Sequence, residues 1–450
     1  MAKKKSKAQN PLASTALKSH FGRLALHELV TAIREFPATA RLDLQTAITE
    51  VLTGPLAPQK VLGAHAMYSH ETVTFSSLMV EDKNISVSIA PLQYDEIDTG
   101  GPLPVRCLKN ALWLCRDGDY PFAMLLTRVQ KYGRESGLHL EIALPPGEKG
   151  LELSRRLLSQ IERKIAQAGS YRGKVLSLEF SDNYSGAVGG IKVHRLKTVP
   201  RDEVILPEKT IALLERNVTR FIEQREKLNA MRLGIKKGLL FYGPPGTGKT
   251  RTIHYLASQL KDHTTLLITA DQVGLLDEYV QLARFLQPSM VVIEDVDLIA
   301  RARTSMRNPC EESILNRLLN EMDGLREDAK VLFVLTTNRP DKLEEALTSR
   351  PGRIDQAIEF PLPDDEGRRK LIQLYGGGLK ISDELLSFLI QKSIGGTGAF
   401  IKELMRRSAQ FLVEAGEQNL TSRQVESALD EMLFSGGSLN AKLLGFAQKH

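Results

Sequence analysis

The stretch KGLLFYGPPGTGKTRTIHYL, Lys237 to Leu256, decides the fold of the C-terminal half of the chain. It opens on an apolar run, GLLFY, of the kind that lies buried in a parallel sheet. A Gly-rich turn follows, in which Gly243, Gly248, Lys249 and Thr250 fit the pattern G-x-x-x-x-G-K-[ST], and a helical pattern begins near Lys249. Strand, loop and helix in that order make the signal specific. Gly243, Gly246 and Gly248 let backbone N–H groups turn inward around phosphates. The helix N-terminus adds positive dipole. Lys249 brings a point charge to the β- and γ-phosphates, and the Thr250 hydroxyl is a hard oxygen suited to Mg²⁺.

Downstream, SMVVIEDVDLIA (289–300) carries a second buried strand, Met290 to Ile293, straight into Glu294 and Asp295. This strand is expected beside the phosphate strand. One acid would hold the Mg²⁺ shell and the other would orient or deprotonate a water. Asp297 is expected as a helix N-cap. A third buried strand, in VLFVLTTNRPDKLEEAL (331–347), ends in Thr336, Thr337 and Asn338, and the neutral amide of Asn338 suits both a γ-phosphate and a water. SRPGRID (349–355) then offers Arg350 and Arg353. Guanidinium groups stabilise charge building on a transferred phosphoryl group. Lying far from the phosphate loop in sequence, they suit a neighbouring subunit's ATP.

Alternation of helix and strand over 203–362, after a long helix at 207–232, predicts a parallel sheet with helices on both faces. Residues 363–436 read as a helical subdomain and 437–450 as a tail. Residues 21–200 read as an α+β domain. Helical patterns fall at 21–36 (Leu26, Leu29, Val30 and Ile33 on one face), 40–53 and 149–167, and strands in NISVSIAPL (84–92), LHLEIAL (138–144) and KVLSLEF (174–180). Residues 1–20 read as a disordered basic tail. No motif in 21–195 attaches to a reaction. His27-Glu28 lacks the second histidine that a zinc protease needs.

Apolar content of 42% and charged content of 25% are ordinary for a globular protein. No apolar run reaches the roughly 18 residues of a membrane span, so no membrane role is expected. Cys107, Cys115 and Cys310 show no metal spacing, which points to reduced thiols in a cytoplasmic protein. Residues 1–200 hold 26 Lys and Arg against 19 Asp and Glu, and the remainder holds 34 against 35. The excess, with KKKSK at 3–7, suits a solvated tail or a nucleic-acid contact.

Together these motifs resemble the AAA family of ATPases over about 205–436. GPPGTGKT matches the family's phosphate loop, TTNRPDKLEEALTSRPGRID its second region of homology, and VVIEDVD its second acidic motif with the acids exchanged. The resemblance implies an α/β fold: an AAA-type parallel-sheet P-loop domain with a C-terminal helical lid, here preceded by the α+β domain. It implies ATP and Mg²⁺ as ligands. Gly243, Pro244, Pro245, Gly246, Thr247, Gly248, Lys249, Thr250 and Arg251 would bind the nucleotide, and Thr250 and Glu294 the metal. Glu294, Asp295, Asn338 (sensor 1) and the trans-acting Arg350 and Arg353 would serve catalysis. GGTGAFIKEL looks like the lid motif, with Gly398 and Ala399 beside the nucleotide and Phe400 where the family usually has Asp. A homo-oligomeric ring, most often a hexamer, acting on a protein substrate is the expected assembly.

Two departures stand out. The acids run Glu-Asp rather than Asp-Glu, as in the AAA branch that translocates the Rieske protein in mitochondria. That branch shares the short segment between phosphate loop and acids. The aromatic–aliphatic–Gly pore loop of many unfoldases is also missing, with only QVG at 272–274 near its place. The leading expectation is an ATP-hydrolysing ring that remodels a protein or complex. The alternatives are a nucleotide-gated assembly protein with little hydrolysis, because Asp295 is one methylene shorter than the usual Glu, and an ATPase acting on nucleic acid.

Overall fold

The computed structural model describes residues 11–65, 72–81, 86–131, 134–180, 188–299, 311–342 and 353–435. The chain divides into two compact units, one of residues 1–172 with 178–194, the other of 173–177 with 195–450.

The strands of the first unit are β1 (Val30–Phe36), β2 (Lys60–His65), β3 (Ser88–Ala90), β4 (Tyr94–Ile97), β5 (Val105–Leu108), β6 (Ala111–Asp117), β7 (Tyr120–Lys131) and β8 (Arg134–Leu144). Six form an antiparallel sheet in the order β1-β8-β7-β6-β2-β3, and β4 pairs with β5 alone. Helices cover Arg41–Val51 and Glu148–Gln167, as the periodicity predicts. Two expectations are corrected. Residues 21–36 are not a helix. Val30–Phe36 is an edge strand paired residue for residue with β8, from Val30↔Leu144 to Phe36↔Leu138. Val30, Thr31 and Ile33 are β-branched and pack well on a pleated surface. Their helix-like spacing was coincidental, since Val30 and Ile33 stand 53% and 46% exposed. Nor are residues 1–20 a tail throughout, because Ala13–Phe21 is a helix. Ala13, Leu17 and Phe21 fall four apart on one face and bury against Leu112, Leu125 and Ala143. Residues 1–10 lie outside the described residues.

The second unit is built on a parallel sheet. It takes the first residues of β9 (Val175–Phe180), whose remainder belongs to the first unit together with β10 (Val188–His194), and then β11 (Lys237–Tyr242), β12 (Thr264–Ile268), β13 (Ser289–Ile293), β14 (Val331–Thr337) and β15 (Gln356–Glu359), in the order β9-β12-β13-β14-β11-β15. The start of the KVLSLEF strand belongs to this sheet, since Val175 and Leu176 pair in parallel with Thr265 and Leu266. The predicted neighbourhood of the acidic strand is also corrected. β13 does not lie beside β11. β14 stands between them, with Met290↔Leu332 on one side and Leu239↔Val334 on the other. β14 is apolar from Val331 to Leu335 and buried along its whole length.

Burial on both faces explains the unbroken apolar runs: Val291, Val292, Val334 and Leu335 are wholly buried. Leu214 and Val218, Ile253 and Leu256 from flanking helices, and Phe360 complete that core. A separate helical cluster follows the sheet, with helices Asp365–Gly376, Asp383–Lys392, Gly398–Glu414 and Ser422–Leu429 closing on Ile372, Leu389, Phe400 and Leu404. Phe400, at the position where an Asp was expected by resemblance, is a core residue of this cluster. No helix among the described residues is long and apolar enough to cross a membrane.

At the N-terminal ends of the strands, buried Arg225 donates to His263 Nε2 at 3.3 Å, which requires a neutral ring. Burial and the guanidinium pull the His263 pKa down to about 4. An unfolded histidine titrates near 6.5. Between those values the unfolded state binds the extra proton, so stability falls as pH drops through that window and levels off below it, by an amount on the order of 2–3 kcal/mol. His263→Gln should flatten that slope in urea unfolding midpoints measured from pH 7 to pH 4.

Candidate nucleotide site

Above the C-terminal ends of the strands the Gly-rich turn joins β11 to the helix Lys249–Gln259. The turn depends on glycine. Gly243 has φ +147°, and a Cβ there would lie 2.2 Å from the Phe360 carbonyl oxygen. Gly246 has φ +79°, and its Cβ would meet Ala399 Cβ at 2.8 Å and Thr397 Oγ1 at 2.9 Å. Gly248, at φ +101°, faces open space with no atom within 4 Å. These contrasts set a prediction. Gly243→Ala must displace backbone and should cost about 2 kcal/mol or more in thermal unfolding. Gly248→Ala should fold with a penalty of about 1 kcal/mol, and its methyl group should abolish nucleotide binding measured by titration.

Lys249 is 6% exposed and donates from Nζ to Gly243 O (2.7 Å) and Pro244 O (3.0 Å). Burial draws its pKa down to about 8, against the pull of Asp295 and Asp297. Thr247 Oγ1 also donates to Pro244 O, at 2.9 Å. Thr250 Oγ1 donates to Glu294 Oε1 at 2.9 Å, across the width of β14. Two hard oxygens are thus side by side, a donor set that fits Mg²⁺.

Asp295 sits at φ +49°, a left-handed conformation that Asp tolerates better than most residues. Its N–H donates to Thr336 Oγ1 (2.9 Å), and Asn338 Nδ2 donates to its Oδ1 (2.8 Å). Asp297 does not cap a helix. It lies inside the short helix Val296–Ile299, where its Oδ1 accepts from Thr337 Oγ1 (2.8 Å) and Asn338 N (3.1 Å). The reason is burial. At 3% exposure the carboxylate needs partners, and the end of β14 supplies them.

A cleft of about 390 Å³ opens over this constellation. Pro245, Gly246, Thr247, Gly248, Lys249, Thr250, Arg251, Asp295, Asn338, Gly398 and Ala399 line it, all of them expected from the sequence. The lid is tied to the loop where Ala399 N donates to Gly246 O at 3.2 Å. Thr397 caps the helix Gly398–Glu414 by accepting from Phe400 N. Glu203, Thr336, Leu371, Tyr375 and Lys402 also line the cleft and were not expected. Thr336 and Lys402 lie in recognised motifs, the latter in GGTGAFIKEL; Glu203, Leu371 and Tyr375 come from segments with no local signature.

Arg353 lies elsewhere. It pairs with Asp323 at 2.5 Å and approaches Asn320, and its carbonyl abuts Gly238 at the opposite end of β11. Its Nη1 is buried without a hydrogen-bond partner among the described residues. Arg350 lies outside the described residues.

Residues 239–362 match the model of the ATPase family associated with various cellular activities, AAA. An ATP-dependent zinc metalloprotease FtsH of Thermus thermophilus is 29% identical over 231 residues, 48% of this chain and 37% of that protein. A proteasome-activating nucleotidase of Methanosphaerula palustris is 28% identical over 261 residues, 55% of this chain and 63% of that protein. A 26S proteasome regulatory subunit S10B homologue of Arabidopsis thaliana is 32% identical over 199 residues, 41% and 50% of the two chains. The chain thus spans less than two thirds of the length of each of these relatives. Over residues 239–362, which hold the phosphate loop and strands β12 to β15, this chain matches the AAA ATPase family.

Proposed function

We propose that the protein is an Mg²⁺-dependent ATPase that works as a homo-oligomeric ring, a hexamer by family habit, and remodels a protein or protein complex in the cytoplasm. The observation that supports this best is the double contact of the exchanged acids. Glu294, the longer acid, reaches Thr250, and Asp295, the shorter, is held by Asn338. In this reading the loop N–H groups and Lys249 bind the phosphates, with Thr250 and Glu294 as the Mg²⁺ ligands. Bound Mg²⁺ offsets phosphate charge. Asp295 accepts the proton of the attacking water, and the Asn338 amide orients that water and the γ-phosphate. The left-handed backbone at Asp295 re-aims the shorter side chain, so a reversed order need not forfeit the chemistry.

The ring and its protein substrate rest on the relatives, whose names are those of a protease, a proteasome activator and a proteasome subunit. The ATPase portion alone is carried over. Kinship with the Rieske-translocating branch rests on the Glu-Asp order and the short segment between β12 and β13. The first unit would serve as the recognition module. Arg350 and Arg353 would act on the neighbouring subunit's ATP. Mg²⁺-dependent phosphate release by purified protein, with Lys249→Ala alongside, tests the assignment. Release should vanish in the variant. Release that survives the substitution would come from another site and sink the proposal.

A further inference from the structure

Beyond the end of its ladder, β14 is held by side chains. Its pairing with β13 stops at Ile293↔Leu335, and its pairing with β11 at Tyr242↔Thr337. Asn338 lies past both ends, and Pro340, two residues on, has no N–H to donate. What fixes Asn338 comes from the chain that leaves β13. Asp295 Oδ1 accepts from its Nδ2 at 2.8 Å, and Asp297 Oδ1 accepts from its backbone N at 3.1 Å. The same Asp297 oxygen accepts from Thr337 Oγ1 at 2.8 Å, and Thr337 Oγ1 in turn accepts from Arg339 N at 3.0 Å. Thr336 Oγ1 accepts from Asp295 N at 2.9 Å. Consecutive residues from Thr336 to Asn338 are thus tied to two acids that stand two apart.

The acids are anchored in turn. Glu294 N donates to Ile268 O at 3.0 Å, which ties the start of their segment to the end of β12. Asp297 and Thr337 are buried, at 3% and 0% exposure. A buried hydroxyl and N–H that lost this acceptor would have to find another, and the chain at residue 338 would turn to reach it. The bonds also close a ring. It runs from the Asp295 carboxylate to the Asn338 amide, through the Asn338 backbone to the Asp297 carboxylate, and back along the chain through Val296. Opening the ring at Asp297 leaves the Asn338 amide fixed at one end only.

We infer that Asp297 is a positioning residue for hydrolysis, which holds the backbone of Asn338 so that its amide stays set against Asp295. Asp295, Thr336 and Asn338 line the cleft and Asp297 does not, so Asp297 acts through Asn338. A side chain that orients a water has to be held to within about 0.5 Å, which takes a supporting residue behind it. A misplacement of about 1 Å costs on the order of a hundredfold in rate. The rival role is electrostatic, because Asp297 and Asp295 are the two carboxylates whose charge acts on Lys249. The two roles need different atoms. Positioning needs an acceptor oxygen where Oδ1 stands, and an Asn side chain offers one. An effect of charge needs the carboxylate. The inference rests on the ATPase reading of the cleft.

The test is Mg²⁺-dependent phosphate release by the full-length protein, with kcat and KM read separately and ATP affinity measured by titration. Wild type, Asp297→Leu, Asp297→Asn, Thr337→Val, Asn338→Ala and Lys249→Ala are compared. Asp297→Leu and Thr337→Val are also each combined with Asn338→Ala. Asp297→Leu should lower kcat about 10- to 100-fold and leave ATP affinity within about twofold of wild type. Asp297→Asn should recover most of that loss. Thr337→Val keeps the bond to the Asn338 N–H and should lower kcat only severalfold. In the Asn338→Ala background neither substitution should cost much more, because the amide they position is gone. Unchanged kcat in Asp297→Leu overturns the inference. So does Asp297→Asn as slow as Asp297→Leu, which would make the charge the active feature. So does a full further loss in the Asn338→Ala background, or a loss of ATP affinity that matches the loss of kcat, as a merely structural residue would give. If Asp297→Leu does not fold, Thr337→Val decides by the same additivity. Lys249→Ala separates the two levels. If it releases phosphate as wild type does, the ATPase reading itself fails. If it abolishes release while Asp297→Leu keeps the wild-type kcat, only the positioning role fails.

Discussion

Asp295→Asn is expected to lower phosphate release about 10²- to 10⁴-fold while ATP remains bound. The amide keeps the shape of the carboxylate and can still meet Asn338, 2.8 Å away in the native protein, after a flip of its own amide. It cannot take a proton. The Thr336 contact to the Asp295 N–H is also kept, so the left-handed turn should survive. Binding measured by titration should therefore change little, because Lys249, Thr250 and the loop are intact. Glu294→Gln provides the contrast. Its effect should depend on Mg²⁺ concentration, since it alters the oxygen pair with Thr250 rather than the base. If Asp295 were instead too short to reach the water, the Mg²⁺ dependence would stay with Glu294 and release by the wild type would already be weak. A Glu294→Asp, Asp295→Glu double variant, restoring the common order, should then gain activity. On the present geometry it should lose it, because neither side chain would keep its contact.

Arg353→Ala is expected to lower turnover of the assembled protein about 10³-fold, the scale of an arginine supplied in trans to a phosphoryl group. Within its own subunit Arg353 is remote from the cleft. It holds Asp323 and lies at the end of β11 opposite the phosphate loop. Its removal should leave ATP binding by the isolated subunit unchanged. Arg353→Lys keeps the charge beside Asp323 but not the planar fork, and should restore stability without restoring turnover. Mixing settles whose ATP it serves. Lys249→Ala subunits lack a phosphate site but carry Arg353; Arg353→Ala subunits are the reverse. Mixed assemblies should recover activity that neither has alone. Absence of recovery, with mixed assembly confirmed, would make Arg353 a structural residue of the 320–323 region.

Legibility in the sequence followed the range of the interaction. The phosphate loop, the three buried strands and the lid helices could be read because each is a local pattern: an apolar run, a glycine spacing, a 3.6-residue period. Gly398 and Ala399 are expected at the site only through resemblance, and in the structure Ala399 N donates to Gly246 O. Strand order was not local. The placement of β14 between β11 and β13 depends on which apolar strand takes the centre, and each run alone looks alike. The edge strand Val30–Phe36 was misread because apolar residues spaced three and four apart fit a helix as well. Only pairing with β8 decides between the two. Asp297 was misassigned because a carboxylate near a helix start usually caps it, and nothing nearby revealed that Thr337 and the Asn338 N–H, forty residues on, would need its oxygen. Glu203, Tyr375 and Lys402 were invisible for the same reason. Three segments separated by some 170 and 27 residues converge on one cleft; only that of Lys402, in GGTGAFIKEL, carries a motif, and the motif does not reveal that its lysine lines the cleft.

The most direct measurement is Mg²⁺-dependent phosphate release by wild-type protein across a dilution series, with the assembly state followed by sedimentation in the same buffer. Release per subunit should climb with concentration in step with assembly and reach a plateau. That result would mean that the exchanged acids hydrolyse ATP and that subunits complete each other's sites. ATP bound at every concentration, with no release even from the assembled protein, would contradict the account and make Glu294 and Asp295 part of a nucleotide-gated switch.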